Sequence, residues 1–119
     1  MIRAYLLYTG ADGHSHVQCG SIEAGALTNV KSIHFKETPA HSSYDWHTAP
    51  DHQFVITLSG VLEFTTTLGE KFVLHPGEIL VATDVTGPGH QWRLINDEPW
   101  KRAYVVFEEG TDVHFKPDA

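Results

Sequence analysis

A two-residue periodicity is the feature that most limits what this chain can fold into. It is clear in the stretch QFVITLSG, residues 53–60, and it returns in VLEFTTTL, EILVATD, HQWRLI and RAYVVFEE. Side chains alternate between two faces in a β-strand, and these stretches also hold the β-branched and aromatic residues that strands favour. Only SIEAGALTN is tempting as a helix, and Gly25 within it disfavours one. The periodicity predicts an all-β chain.

Turn sequences separate these stretches at intervals of roughly ten residues. ADGH, LSGV, TLGEK, HPGE, VTGPGH and NDEPW each contain residues that tight turns favour. This rhythm predicts roughly eight to ten strands in a single domain spanning residues 1–119. An antiparallel jelly-roll β-barrel would protect the strand edges that such a domain otherwise exposes. We expect the C-terminal KPDA to be a short loose tail.

Charge and cysteine content weigh against several classes of function. Fifteen acidic against eight basic residues give a formal net charge of −7, and the basic residues form no cluster. Nucleic acid and anionic membranes are therefore not expected partners. Cys19 is the only cysteine, so no disulfide can form within the chain, whereas nine histidines offer imidazole ligands. With no long apolar run and no signal-peptide pattern in MIRAYLLYTG, the sequence predicts a soluble cytoplasmic protein.

Three polar residues stand at the starts or ends of expected strands. His47 and Gln53 lie in WHTAPDHQFVITLSG, and His90 follows the turn in TGPGHQWRL. If the APD corner turns the chain into the next strand, Gln53 can face back toward His47. Residues at the mouths of different strands can converge inside a small barrel, and a barrel of this size can hold one small ligand.

These same stretches resemble the two motifs of the cupins, a family of small β-barrels. The first cupin motif typically has two histidines separated by one residue, then a glutamate and, further on, a glycine. Here His47, Ala49, Gln53 and Gly60 occupy those positions. The second motif is similar to HPGEILVATDVTGPGH, which ends in His90. YTGADGHSH, HTAPDHQFVITLSG and DVTGPGH further resemble a subgroup of small single-domain cupins with HxAPxxQ, LSG and TGxGH runs.

The resemblance implies a divalent transition metal, Zn, Ni, Mn or Fe, which cupins typically hold through three histidines and one glutamate. His47, Gln53 and His90 would be the ligands here, a neutral set that is one ligand short. His52 is a possible fourth ligand, but only if the chain bends at Pro50–Asp51, because in a regular strand His52 faces away from Gln53.

A neutral ligand set leaves the full charge on the metal, which favours Lewis-acid chemistry of the isomerase or cyclase kind on a small organic substrate. Some polyketide cyclases of the cupin class are similar in carrying glutamine at the glutamate position. Oxygenase chemistry, also implied by the resemblance, usually relies on a carboxylate ligand. Two alternatives stay open. One is a non-catalytic cupin that binds a sugar or metabolite without a tightly held metal. The other is a metal-free enzyme in which His47 and His52 act as acid and base.

The remaining expectations concern assembly and the other histidines. The cupin reading implies a homodimer with a small-molecule ligand in the barrel. His14 and His16 form a His-x-His pair after the ADG turn, outside the motif positions, and we expect His16 to fix a hairpin or to pack at a dimer contact. His41, in the polar loop PAHSSYD, could belong to a lid over the barrel mouth.

Overall fold

The computed structural model describes residues 1–119 and contains eleven β-strands and no helix. The all-β prediction is therefore confirmed, with slightly more strands than expected. No segment forms a helix that is long and apolar enough to cross a membrane. The strands are β1 Ile2–Thr9, β2 Ser15–Ile22, β3 Ser32–Thr38, β4 Ser43–His47, β5 Gln53–Ser59, β6 Leu62–Thr66, β7 Lys71–Leu74, β8 Ile79–Ala82, β9 His90–Leu94, β10 Trp100–Val106 and β11 Phe115–Pro117.

The strands form two sheets that enclose the main core. The larger sheet has seven strands in the order β11-β2-β1-β8-β5-β10-β3, and the smaller has four in the order β4-β9-β6-β7. Buried apolar side chains from both sheets form one continuous cluster, which includes Leu7, Val55 and Leu80 from the larger sheet and Phe64, Leu74 and Trp92 from the smaller. Burial of such side chains is the dominant favourable contribution to folding.

From β3 to β10 the strands pair as a set of nested hairpins. The innermost pair is β6 with β7, followed outward by β5 with β8, β4 with β9 and β3 with β10, and every pair is antiparallel. Successive pairs alternate between the two sheets, because β4–β9 and β6–β7 lie in the smaller sheet and the other two pairs in the larger. The nesting brings the end of β4 beside the start of β9.

Two features depart from the expectations. β1 pairs with β8 in parallel, so the sheets are not purely antiparallel. The expectation of a loose C-terminal tail is wrong, because Phe115–Pro117 adds β11 to the edge of β2, and Arg3 pairs with Asp118 at 2.8 Å. The open backbone edge of β2 offers hydrogen bonds that the sequence pattern of the tail does not reveal.

The alternation in β5 decides which residues face the space between the sheets. Gln53, Val55 and Thr57 are buried toward the main core. The residues that alternate with them in β5, including Phe54, lie on the other face of the strand. There Phe54 packs with Val81 and Phe107 in a second, smaller cluster. One polar amide, that of Gln53, is thus carried into the interior on the same face as core residues.

Candidate functional site

The two sheets leave an open cavity of about 830 Å³ between them, and the candidate residues lie in its wall. His47 ends β4, Gln53 begins β5 and His90 begins β9, and all three line this cavity. A second hollow of about 510 Å³ lies around Glu63 and Arg93. Those two side chains pair with each other at 3.0 Å.

His47 and His90 are direct neighbours across the β4–β9 pair. Their Cα atoms are register partners, and their ring centroids are 4.5 Å apart with the planes inclined by 60°. Gly89 makes this approach possible: its φ is +77°, and a Cβ atom on it would overlap the carbonyl of His47. Only glycine satisfies both conditions without strain.

The ring of His47 is held in a defined orientation. Its Nδ1 donates to the carbonyl oxygen of Asp45 at 2.7 Å, and the ring stacks on Tyr44 with centroids 4.1 Å apart. Burial, and to a lesser degree the neighbouring His90, lowers the pKa of His47 below its ordinary value, although the Asp45 carbonyl and Asp84 oppose the shift. The Nε2 atom has no partner in the chain and is not sealed from solvent, so the lone pair of the neutral ring is available.

His90 is oriented by a buried carboxylate that sequence reasoning missed. Its Nδ1 lies 2.6 Å from Oδ2 of Asp84, which also accepts a hydrogen bond from the hydroxyl of Ser15 at 2.7 Å. Asp84 is completely buried, and its Oδ1 is the one sealed side-chain polar atom in the chain without a partner. Since the carboxylate accepts, His90 carries its proton on Nδ1 and presents Nε2 as a free lone pair.

Gln53 supplies the third side chain. The residue is only 5 % exposed, yet its amide makes no hydrogen bond within the chain and is not sealed from solvent. A buried amide without a protein partner is costly unless a ligand or water satisfies it. The amide of Gln53 is therefore available to bind a ligand in the cavity.

His52 is not brought together with the other three residues. The chain does bend at residues 50–52, but the cavity wall does not include His52. Its ring centroid lies 6.2 Å from that of Phe107, and its carbonyl accepts from the backbone N–H of Phe107 at 3.0 Å. The bend that His52 would need in order to join the other ligands is present, but it leaves His52 beside Phe107 and outside the cavity.

Arg102 is the second functional candidate that sequence reasoning missed. It lies in β10 on the same face as Trp100 and Tyr104, and all three line the cavity. The alternation in WKRAYVV could have placed it inside, but arginine is rarely buried, so the pattern by itself does not single it out.

His14 and His16 serve connections outside the cavity. His16 contacts Asp12 at 2.9 Å and Glu70 at 2.7 Å, and His14 contacts the hydroxyl of Thr67 at 2.8 Å. These contacts join the β1–β2 turn to the β6–β7 turn. His16 thus links two hairpins through its side chain.

The donor set can be compared with what a metal ion requires. No group of three or more His, Cys, Asp or Glu side chains is placed to share an ion. The available donors are two imidazoles and the amide of Gln53. Both imidazoles are anchored through Nδ1 to an oxygen, as metal-bound histidines usually are, and the orphaned buried oxygen of Asp84 leaves negative charge behind His90. On these grounds the residues fit a divalent ion with open coordination positions.

Comparison with known proteins adds no family assignment: no protein-family model matches the chain, and no curated protein matches it significantly.

Proposed function

We propose that the chain is a jelly-roll barrel of the cupin type whose cavity binds a divalent transition metal and a small organic substrate. His47, His90 and Gln53 are the proposed ligands. The reaction class is Lewis-acid chemistry of the isomerase or cyclase kind. Oxygenase chemistry is less favoured, since none of the three donors is a carboxylate.

The strand pairing supports the jelly-roll part of the proposal. A jelly roll is an eight-stranded double sheet. It results when a long antiparallel hairpin is rolled up so that its successive pairs alternate between the sheets. β3–β10, β4–β9, β5–β8 and β6–β7 pair in that nested order and alternate in that manner. β1, β2 and β11 extend one sheet beyond these eight strands.

The observation that carries the metal site is the shared anchoring of the two imidazoles. Each Nδ1 is engaged by an oxygen of the chain, each Nε2 has no partner in the chain, and the two ring centroids lie 4.5 Å apart. Fixing the tautomer in this way raises the basicity of the ligand nitrogen and keeps the ring from turning. The unpartnered amide of Gln53 lies in the same cavity wall.

The ion and the residues of the chain would have separate roles in the reaction. A divalent ion on neutral donors would supply Lewis acidity, which polarises a carbonyl or hydroxyl oxygen of the substrate. Asp84 fixes the proton of His90 on Nδ1, and the Asp45 carbonyl does the same for His47. The aromatic walls, including Trp92 and Trp100, limit water around a bound substrate.

Metal binding tests the proposal directly. Chelator-treated protein is titrated with Zn²⁺, Ni²⁺, Mn²⁺ and Fe²⁺ by calorimetry, and as-purified protein is assayed for metal by mass spectrometry. We expect a single ion per chain, lost in His47→Ala and His90→Ala. His75→Ala is the matched control, because His75 is an exposed histidine outside the cavity. His52→Ala should also bind normally. Unchanged binding in both His47→Ala and His90→Ala would refute the site.

A metal-free acid–base site at His90 is the second candidate, favoured by the 2.6 Å contact between His90 and Asp84. A carboxylate that orients an imidazole is a common arrangement for a general base. Activity that survives chelator but is lost in His90→Ala would select this candidate. A chain that binds ligand without metal and without turnover would instead be a binding module.

The homodimer expected from the sequence stays a prediction. Ile33 and Phe35 are 58 % and 69 % exposed on β3, at the edge of the larger sheet. Sedimentation velocity of the purified chain tests it.

A further inference from the structure

Arg102 is a buried cation without an anionic partner. Only 3 % of the residue is exposed. Its Nε donates to the hydroxyl of Tyr104 at 3.0 Å, and its Nη1 donates to the hydroxyl of Thr38 at 2.6 Å and to the carbonyl of Trp100 at 3.0 Å. All of these acceptors are neutral, so the charge of the guanidinium is not compensated by the chain.

The other two arginines behave in the opposite way. Arg3 pairs with Asp118 at 2.8 Å and Arg93 pairs with Glu63 at 3.0 Å, both at the more exposed surface. Exposed pairs of this kind contribute little, whereas a buried unpaired charge is strongly unfavourable. The chain thus leaves unpaired the one arginine for which pairing matters most.

One edge of the guanidinium has no partner in the chain, and Arg102 lies in the cavity wall. Nη2 of Arg102 has no partner in the chain and is not among the sealed polar atoms. The guanidinium carbon lies 3.8 Å above the ring of Trp100, which fixes the plane of the group. Two N–H donors of a fixed, desolvated cation are therefore available to an occupant.

The cavity wall around Arg102 is positive, although the chain carries a net charge of −7. Lys36 is the register partner of Arg102 on β3, lines the same cavity and forms no ion pair. Asp51 is the one acidic residue in the wall. A cavity with two cations in a net acidic protein favours an anion over a neutral or cationic ligand.

Aromatic rings connect this positive end with the histidine pair. Trp100, on which Arg102 stacks, has its ring centroid 4.8 Å from that of Trp92 and 6.4 Å from that of Phe64. Phe64 in turn lies 5.8 Å from His90, centroid to centroid. A flat apolar body can lie along these rings with one end toward Arg102 and the other toward the histidines.

We infer that the cavity binds a small organic carboxylate with a planar, aromatic or enolic body, whose carboxylate contacts Nη2 of Arg102 and the ammonium of Lys36. This inference deepens the proposed function and shares its cavity, but the carboxylate contact does not require a metal. The open Nη2 edge and the Lys36 ammonium suit a single carboxylate, whereas a phosphate ester carries more charge and more oxygens than these donors satisfy.

Benzoate and its uncharged isostere benzamide are suitable probes, measured on the full chain by calorimetry or ligand-detected NMR. In wild type we expect benzoate to bind at least about tenfold more tightly than benzamide. Arg102→Gln should remove this preference, and Lys36→Gln should reduce it. Arg93→Gln, which changes a surface arginine outside the cavity, is the matched control. Phenyl phosphate binding more tightly than benzoate would overturn the choice of carboxylate.

Repeating the titration in chelator separates this inference from the metal site. Benzoate binding that persists in chelator and in His47→Ala, but is lost in Arg102→Gln, supports the arginine contact whatever the outcome for metal. Benzoate binding that disappears with metal and is unchanged in Arg102→Gln would overturn the inference and leave the metal site standing. If Arg102→Gln does not fold, equal affinity of wild type for benzoate and benzamide, or no effect of Lys36→Gln, still refutes it.

Discussion

Oδ2 of Asp84 lies 2.6 Å from Nδ1 of His90, and neither side chain has more than marginal contact with solvent. The same oxygen accepts from Ser15, while the other carboxylate oxygen is sealed and unpaired. The hydrogen bonds from His90 and Ser15 satisfy only one of the two oxygens of this buried carboxylate. The pair therefore links the chemistry of His90 to a residue that never reaches the cavity.

Replacing Asp84 with Asn should weaken metal binding at His90. The side chain keeps its size and an acceptor for Nδ1, but the negative charge behind the imidazole is lost. We expect the affinity for a divalent ion to fall by about 10–100-fold, measured by calorimetry against a competing chelator. Ser15→Ala, which keeps the carboxylate, is the control and should change the affinity less. Equal affinities of Asp84→Asn and wild type would remove Asp84 from the site.

Gly89→Ala should destabilise the fold more than an ordinary glycine substitution. The positive φ costs about 1–3 kcal/mol in a residue with a side chain. Overlap of the new Cβ with the His47 carbonyl adds at least about 1 kcal/mol. Gly69→Ala isolates the first cost, because Gly69 also has a positive φ, +85°, but open space around it. Urea denaturation of both variants measures the difference, and equal losses would show that the close approach is not limiting.

Stability should decline with rising pH because of His16. Hydrogen bonds to Asp12, and then to Glu70, raise the pKa of His16 above its ordinary value of 6.5. The folded chain therefore holds a proton that the unfolded chain has released, so this contribution is complete below pH 6.5 and is lost as pH rises through the folded pKa. Urea denaturation between pH 5.5 and 8.5, compared with His16→Gln, isolates the slope. A variant with the same slope as wild type would contradict it.

Thr57→Val should leave a buried donor without a partner. The indole N–H of Trp100 donates to the hydroxyl of Thr57 at 3.2 Å, in the buried interior between the sheets. Valine has nearly the same shape but no acceptor, so we expect a loss of about 1–3 kcal/mol in the free energy of unfolding. Thr65→Val is the matched control, since the Thr65 hydroxyl makes no hydrogen bond within the chain. A loss no greater than that of the control would count against this contact.

The periodicity of the sequence was sufficient to predict an all-β chain without helices, but the stretches it singled out correspond only to β5, β6, β8, β9 and β10. It could not predict that the C-terminal tail forms a strand. β11 forms because the edge of β2 offers it backbone hydrogen bonds, and not because KPDA favours a strand. The cupin-like spacing selected His47, Gln53 and His90, which the structure does bring to one cavity.

Asp84 and Arg102 were missed for a common reason. Local pattern places charged residues at the surface, and only tertiary neighbours make their burial tolerable. Asp84 ends the stretch EILVATD just before the turn VTGPGH, where a carboxylate is expected at the surface, yet it is fully buried against Ser15 of a distant strand. For His52, the sequence indicated that a bend near Pro50–Asp51 would be needed for it to join the site. It could not indicate that, with this bend, the ring lies beside Phe107.

The nested hairpins also have a consequence for folding kinetics. His47 and His90 are distant in the sequence and pair across β4 and β9, and Gln53 joins them from the opposite sheet. Long-range pairing of this kind makes folding slow. An occupant that contacts both sheets would bind the folded chain and not the unfolded one, so it would raise the free energy of unfolding.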